Sequence, residues 1–303
     1  MLKRISLFLI VNFLIVLTIS SLLALFNVQP FLRKYGIDYP SLMIFCLCWG
    51  MGGAIISLLM SRITAKWMMG VKLIDPHTSE AGLKKIYSTV ERLALNAGLP
   101  QTPEVGIFYS DAPNAFATGP TKKRSLVAIS SGLINKMSSN ELEAIIGHEI
   151  AHIANGDMVT MTLLQGIINA FVMFLARILA FMLSRSGKSE KDSQGVSYGA
   201  YTLFVFLFEI VFMILGSIVI AYYSRRREFR ADLGGAKLSS FSNMISALSS
   251  LEKKSANDPI QEKPAIQAFM IYSHKHSLFS KLFSTHPPIE KRIEKLKEHQ
   301  FSM

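Results

Sequence analysis

The chain of 303 residues is short of cysteine and short of charge, and each shortage excludes a class of protein. Its two cysteines, Cys46 and Cys48, fall inside one apolar run, so neither a disulfide framework nor a cysteine-built metal site is available. Charged residues make up 17% of the chain and hydrophobic ones 50%, a balance that points to membrane spans before a soluble domain. No GxxxxGK[ST] string occurs, so no ATP binding is expected. Acidic residues are outnumbered, giving a formal charge of +11. That excess does not call for nucleic acid, because much of it flanks apolar runs: Arg62, Lys66 and Lys72, then Arg225, Arg226, Arg227 and Arg230. Juxtamembrane basic clusters report topology and contact with anionic lipid, so the expected surroundings are a lipid bilayer.

Two uncharged runs, Ile5 to Val28 and Tyr39 to Ser61, are each long enough to cross roughly 30 Å of hydrocarbon as a helix. A cleaved signal is the alternative for the first, but its apolar core is too long and no small-x-small site follows, so it reads as a retained anchor. Two further stretches run from Met158 to Ser184, interrupted by Arg177, and from Ser193 to Ser224, interrupted by Glu209. A buried soluble hairpin would also fit them. Two more spans fit better, because helical rise places Arg177 about 28 Å beyond Met158 and Glu209 about 22 Å above Ser224, where the charges neutralise each other. Four spans put residues 62–157 and everything after Ser224 on the side with more flanking Lys and Arg, the cytosol.

Between the second and third spans the chain turns polar. Apolar residues at helical spacing predict a helix over 81–97, stopped by Gly98 and Pro100. Three brief strand-like runs, 105–109, 115–118 and 126–129, read as a small antiparallel meander. Ser138 and Glu141 form a capping box that opens another helix.

That helix carries HEIAH at 148–152, followed by Gly156-Asp157. His148 and His152 share one face, one turn apart, where both can bind a single zinc ion. Glu149 lies beside the metal without binding it and serves as the general base, taking a proton from the attacking water and delivering one to the departing amine. A catalytic zinc needs a third protein ligand. Glu228, in EFRAD at 228–232, is the best candidate, and Asp232 one turn later would orient a zinc-bound histidine. Without HEIAH, both acids would be read as balancing the neighbouring arginines. The hydrophobic hairpin accounts for the distance in sequence between His152 and Glu228.

HEIAH, EFRAD, PNAFATG at 113–119 and THPP at 285–288 together resemble an HtpX-type protease, over most of the chain. The resemblance implies a bacterial inner-membrane, multi-pass zinc endopeptidase of the gluzincin group, acting on misfolded or damaged membrane proteins in quality control and stress response. It implies one zinc per chain held by His148, His152 and Glu228, with Glu149 catalytic. It also implies an edge strand, Asn114, Ala115, Phe116, Ala117, Thr118 and Gly119, on which an extended substrate aligns by main-chain hydrogen bonds. His286 matches the THP segment and either hydrogen-bonds the developing oxyanion or anchors the carboxy-terminal helix with Pro287 and Pro288. A prenyl-protein endoprotease, a relative with more spans, is the second enzyme reading, and a zinc-stabilised scaffold that binds without cutting is the non-enzymatic one.

The expected fold is therefore predominantly α: a four-helix membrane anchor with a cytosolic gluzincin-like α+β zinc protease domain containing a small antiparallel sheet. Residues 1–72 would hold two transmembrane helices, 73–157 the first part of the protease domain, 158–224 the hairpin, and 225–303 the second part.

Overall fold

The computed structural model describes residues 38–185, 198–257 and 282–301. The expected span at 5–28 lies outside them. Eight helices and four strands follow in order among the described residues: α1 (Tyr39–Met69), β1 (Lys72–Leu73), α2 (Ala81–Asn96), β2 (Glu104–Phe108), β3 (Ala115–Thr118), β4 (Leu126–Ser130), α3 (Ser131–Lys136), α4 (Ser139–Asn155), α5 (Asp157–Arg185), α6 (Tyr198–Leu238), α7 (Phe241–Asn257) and α8 (Ile289–Phe301). Among the described residues, those up to Ile56 and from Thr160 to Val219 form one compact unit, and Ser57–Val159 with those from Ile220 onwards form a second.

The first unit is helical. Among the described residues α1, α5 and α6 are long and apolar enough to cross a membrane. Large apolar side chains such as Ile44, Trp49, Leu203 and Phe206 face outward, which water would penalise and hydrocarbon would not. Inside, Cys46, Phe174, Ile178 and Phe181 pack together. The helices approach closely where side chains are small: a Cβ added at Gly50 would lie 2.6 Å from the Ala170 backbone nitrogen. The two charges expected to neutralise each other do so, with Arg177 Nη1 2.9 Å from Glu209 Oε1. Arg177 also donates to the Met173 carbonyl at 3.0 Å.

In the second unit α4 packs against a four-stranded sheet of order β1-β2-β4-β3, with α2 and α7 against α4 and α8 against α7. The sheet is mixed, which corrects the expected antiparallel meander. β2 and β4 run parallel, Val105 opposite Val127, while β3 turns back antiparallel to β4 with Phe116 opposite Ala128. Chain order alone suggested neighbours 2-3-4. Burial decided otherwise: every residue of β4 is buried, so it takes the interior place and β3 the margin. Gly119, at φ 140°, ends β3 at a point where a side chain would strike the Arg124 carbonyl and the Ser125 Cα.

The core of this unit joins Val90 and Leu93 of α2, Val127 and Ile129 of β4, Ile146 and Ile150 of α4, Met244 and Leu248 of α7, and Leu296 of α8. Arg62 and Lys66, at the end of α1, clasp Glu104 of β2 at 2.9 and 2.7 Å. α6 spans 41 residues, about 60 Å at 1.5 Å per residue and about twice the thickness of a hydrocarbon core. Its apolar length therefore runs without a break into the EFRAD turn.

Candidate metal centre

The metal-binding geometry starts from two local devices on α4. At its beginning the Ser138 side chain accepts from the Glu141 amide while Glu141 Oε2 accepts from the Ser138 amide at 2.9 Å, the reciprocal capping box. At its end Gly156 adopts φ 64° and ψ 39°, a left-handed cap that stops the helix and starts α5 at the next residue. His148, Glu149 and His152 thus sit on a helix fixed at both ends.

The two imidazoles converge, Nε2 to Nε2 at 3.1 Å. Glu228 comes from α6, its Oε2 3.5 Å from His148 Nε2 and its Oε1 3.4 Å from His152 Nε2. One ligand atom from each of the three lies within 4.8 Å of the others, and all three residues are buried. Glycine makes this possible, because a Cβ on Gly147 would sit 3.3 Å from the Gly235 carbonyl oxygen, and one on Gly235 would press into the α4 backbone. The helices carrying the ligands meet nearly backbone to backbone.

The residues fit a cation. Neither carboxylate oxygen of Glu228 receives a well-formed hydrogen bond despite full burial, an arrangement that costs free energy unless positive charge answers it. Burial would lower the His148 imidazole, but Asp232 and Glu228 outweigh it and push the group up to about 9, a measure of how strongly the local field favours positive charge. Two imidazoles and one carboxylate are the donor set of a catalytic zinc with an open fourth position.

Around these three side chains stands a second ring. Asp232 Oδ1 lies 3.0 Å from His148 Nδ1, the place anticipated for an orienting carboxylate. Asp157 Oδ2 lies 2.7 Å from His152 Nδ1. Arg292 of α8, only 1% exposed, donates from Nε to Asp232 Oδ2 at 2.7 Å and from Nη2 to Oδ1 at 2.5 Å. His286 Nδ1 faces Glu228 Oε2 at 2.9 Å. Glu149 is buried next to these side chains, and that burial pushes its carboxyl above the ordinary range.

Every side chain proposed from the motifs is brought to this place: His148, Glu149, His152, Glu228, Asp232 and His286. β3, with Asn114 before it, packs beside α4 at the margin of the sheet. Ala115 and Phe116 are buried, Ala117 and Thr118 partly so. The Asn114 side-chain amide is buried with neither Oδ1 nor Nδ2 hydrogen-bonded. The roles of two residues escaped the sequence reading. Asp157 had a signal, since a left-handed glycine at a helix end turns the next residue back towards the last turn. Arg292 had none: in a helix reading IEKRIEKLKEH it looks like one more solvated charge.

A profile of peptidase family M48 matches residues 81–300. A protein named Protease HtpX homolog from Bacillus velezensis is 43% identical over 302 residues, covering 98% of this chain and 99% of that protein. Its counterpart in Bacillus subtilis is 44% identical with the same coverage, and Protease HtpX of Thioalkalivibrio sulfidiphilus is 43% identical over 301 residues, covering 98% and 99%. The crystal structure of Ste24p from S. mikatae shares the fold with a TM-score of 0.60 at 18% identity, over 95% of this chain and 66% of that one.

Proposed function

The chain belongs to peptidase family M48 as an HtpX-type, membrane-bound metalloendopeptidase, and from that premise we propose that its metal is zinc, held by His148, His152 and Glu228, with Glu149 as general base. The observation that carries this reading is the convergence of two imidazole Nε2 atoms on one buried carboxylate, with a ligand atom of each of the three within 4.8 Å of the others. When bound, zinc supplies a Lewis acid that polarises the scissile carbonyl and lowers the pKa of a water in its open position.

The chain's own residues do the rest. Glu149, protected from bulk water, takes the proton of the attacking water and passes one to the departing amine. Asp232 and Asp157 hold the Nδ1 side of each ligand histidine, fixing tautomer and ring orientation so that Nε2 presents its lone pair. Arg292 anchors Asp232 in turn. Asn114 to Gly119, at the sheet margin beside α4, is the strand along which an extended substrate would align. His286, turned towards Glu228, stands where it would donate to an oxygen developing charge.

The substrates on this reading are segments of misfolded or damaged membrane proteins, reached from the cytosolic face of a bacterial inner membrane. On the same reading, residues 73–157 and 225–303 are the two halves of the protease domain, and the hairpin 158–224 adds two spans to that of α1. Three protein ligands with a buried glutamate beside them favour catalysis over a scaffold, whose metal would be closed by four.

Zinc content and casein cleavage of detergent-purified protein test this directly. Wild type with about one zinc per chain should cleave, losing activity with a chelator and regaining it with zinc, while Glu149→Gln should keep zinc without cleaving. Full activity in that variant would remove Glu149 from the mechanism.

A further inference from the structure

Three positions on one face of α6, spaced three and four residues apart, are met in order by the carboxy-terminal segment. Arg225 Nη1 donates to the carbonyls of Leu282 at 3.2 Å and Ser284 at 2.7 Å. Glu228 faces His286, and Asp232 receives Arg292. Arg225 and Arg292 thus bracket His286, but they act on opposite partners: Arg292 grips α6 from α8, whereas Arg225 grips the loop from α6.

Residues 284–288 form neither helix nor strand, and α8 begins only at Ile289. Pro287 and Pro288 restrict the backbone but cannot donate. Ser284 Oγ donates to the His286 carbonyl at 2.6 Å, so the peptide whose carbonyl Arg225 holds is tied directly to the residue that faces Glu228. A guanidinium suits two carbonyls at once because its donors are fixed in one plane, whereas a lysine ammonium is a hydrated point charge on a flexible stem.

We propose that Arg225 is a positioning residue for His286: it fixes the 282–286 backbone against α6 so that the imidazole is held beside Glu228 and ready for the reacting oxygen. This rests on the peptidase reading above. Its role is separate from that of the neighbouring basic residues, whose charge suits a membrane surface, because it is exerted through two defined carbonyls.

Steady-state cleavage by zinc-loaded protein is compared for wild type, Arg225→Lys, Arg225→Ala, His286→Ala and the double variant Arg225→Ala/His286→Ala. Arg225→Ala should lower kcat about tenfold with KM within about twofold and zinc content unchanged, Arg225→Lys should recover part of the loss, and the double variant should be no slower than His286→Ala alone. A wild-type kcat in Arg225→Ala, a multiplied loss in the double variant, or undiminished cleavage by His286→Ala overturns the proposal while leaving the peptidase intact. Hydrogen exchange of the peptide covering 282–288 is read on the same proteins. It should accelerate in Arg225→Ala, and unchanged exchange overturns the proposal even if wild type cleaves nothing, the outcome that instead removes the peptidase reading.

Discussion

Gly235 on α6 lies so close to His148 on α4 that a Cβ there would stand 2.9 Å from the His148 amide nitrogen and 3.1 Å from its Cα. Real side chains do not tolerate such contact with backbone, which cannot rotate away as a flexible side chain can. Gly235→Ala is expected to push the two ligand-bearing helices apart and weaken zinc binding at least tenfold, measured by competition with a chromogenic chelator. Gly82→Ala on α2, where nothing lies within 4 Å of the added methyl, is the control: zinc affinity unchanged and stability equal to or about 0.5–1 kcal/mol above wild type.

Asp157 and Asp232 face His152 and His148 from opposite elements, the start of α5 and the last third of α6. Asp157→Asn and Asp232→Asn should each lower zinc affinity about 10- to 100-fold without unfolding the protein, the usual cost of losing an outer carboxylate. Isothermal titration with zinc on the stripped protein reads this. Unaltered affinity in Asp157→Asn would reduce that residue to an ordinary helix cap.

Glu141 ties the start of α4 to α7. Its carboxylate accepts from the Ser138 amide and hydroxyl, from Ser246 at 2.8 Å and from Ser250 at 2.5 Å. Burial alone would raise this carboxyl, but Ser250, the Ser138 amide, Ser246 and the Ser138 hydroxyl together bring it down to about 2 from an ordinary value of 4.5. A folded-state value below the unfolded one means that the stabilisation is complete above about pH 4.5 and is lost as pH falls towards about 2. The double variant Ser246→Ala/Ser250→Ala should be about 1–3 kcal/mol less stable at pH 7. The difference in Tm between it and wild type should shrink as pH is lowered through that window, and a gap that stays constant down to pH 2 would show that the serines act by packing.

The Arg177–Glu209 pair joins two apolar helices. Replacing Glu209 alone with Leu strands a cation among apolar side chains and should cost roughly 3 kcal/mol, visible as a lower Tm or a poor yield of detergent-soluble protein. Arg177→Met/Glu209→Leu should recover most of that loss, because removing both charges also removes the need to solvate them. A double variant as unstable as the single one would mean that the ionic contact specifies the helix pairing.

Much of this protein is legible in its sequence wherever the governing geometry is local. HEIAH places two imidazoles on one face because four residues make about one helical turn, the capping box acts over three residues, and Gly98 and Gly156 stop helices by their own φ. Even the Arg177–Glu209 contact follows from a constant rise per residue along two helices consecutive in the chain.

Tertiary structure alone decided what depends on distant segments meeting. Strand order in the sheet was one such feature, since burial on both sides of β4, not proximity in the chain, set its neighbours. Arg292 was another: a charge on an amphipathic helix becomes part of a metal centre only when that helix docks on a carboxylate 60 positions earlier in the chain. The spacing of Gly147 and Gly235 was the third, because residue type can record that a backbone is bare, but not which other backbone will lie against it.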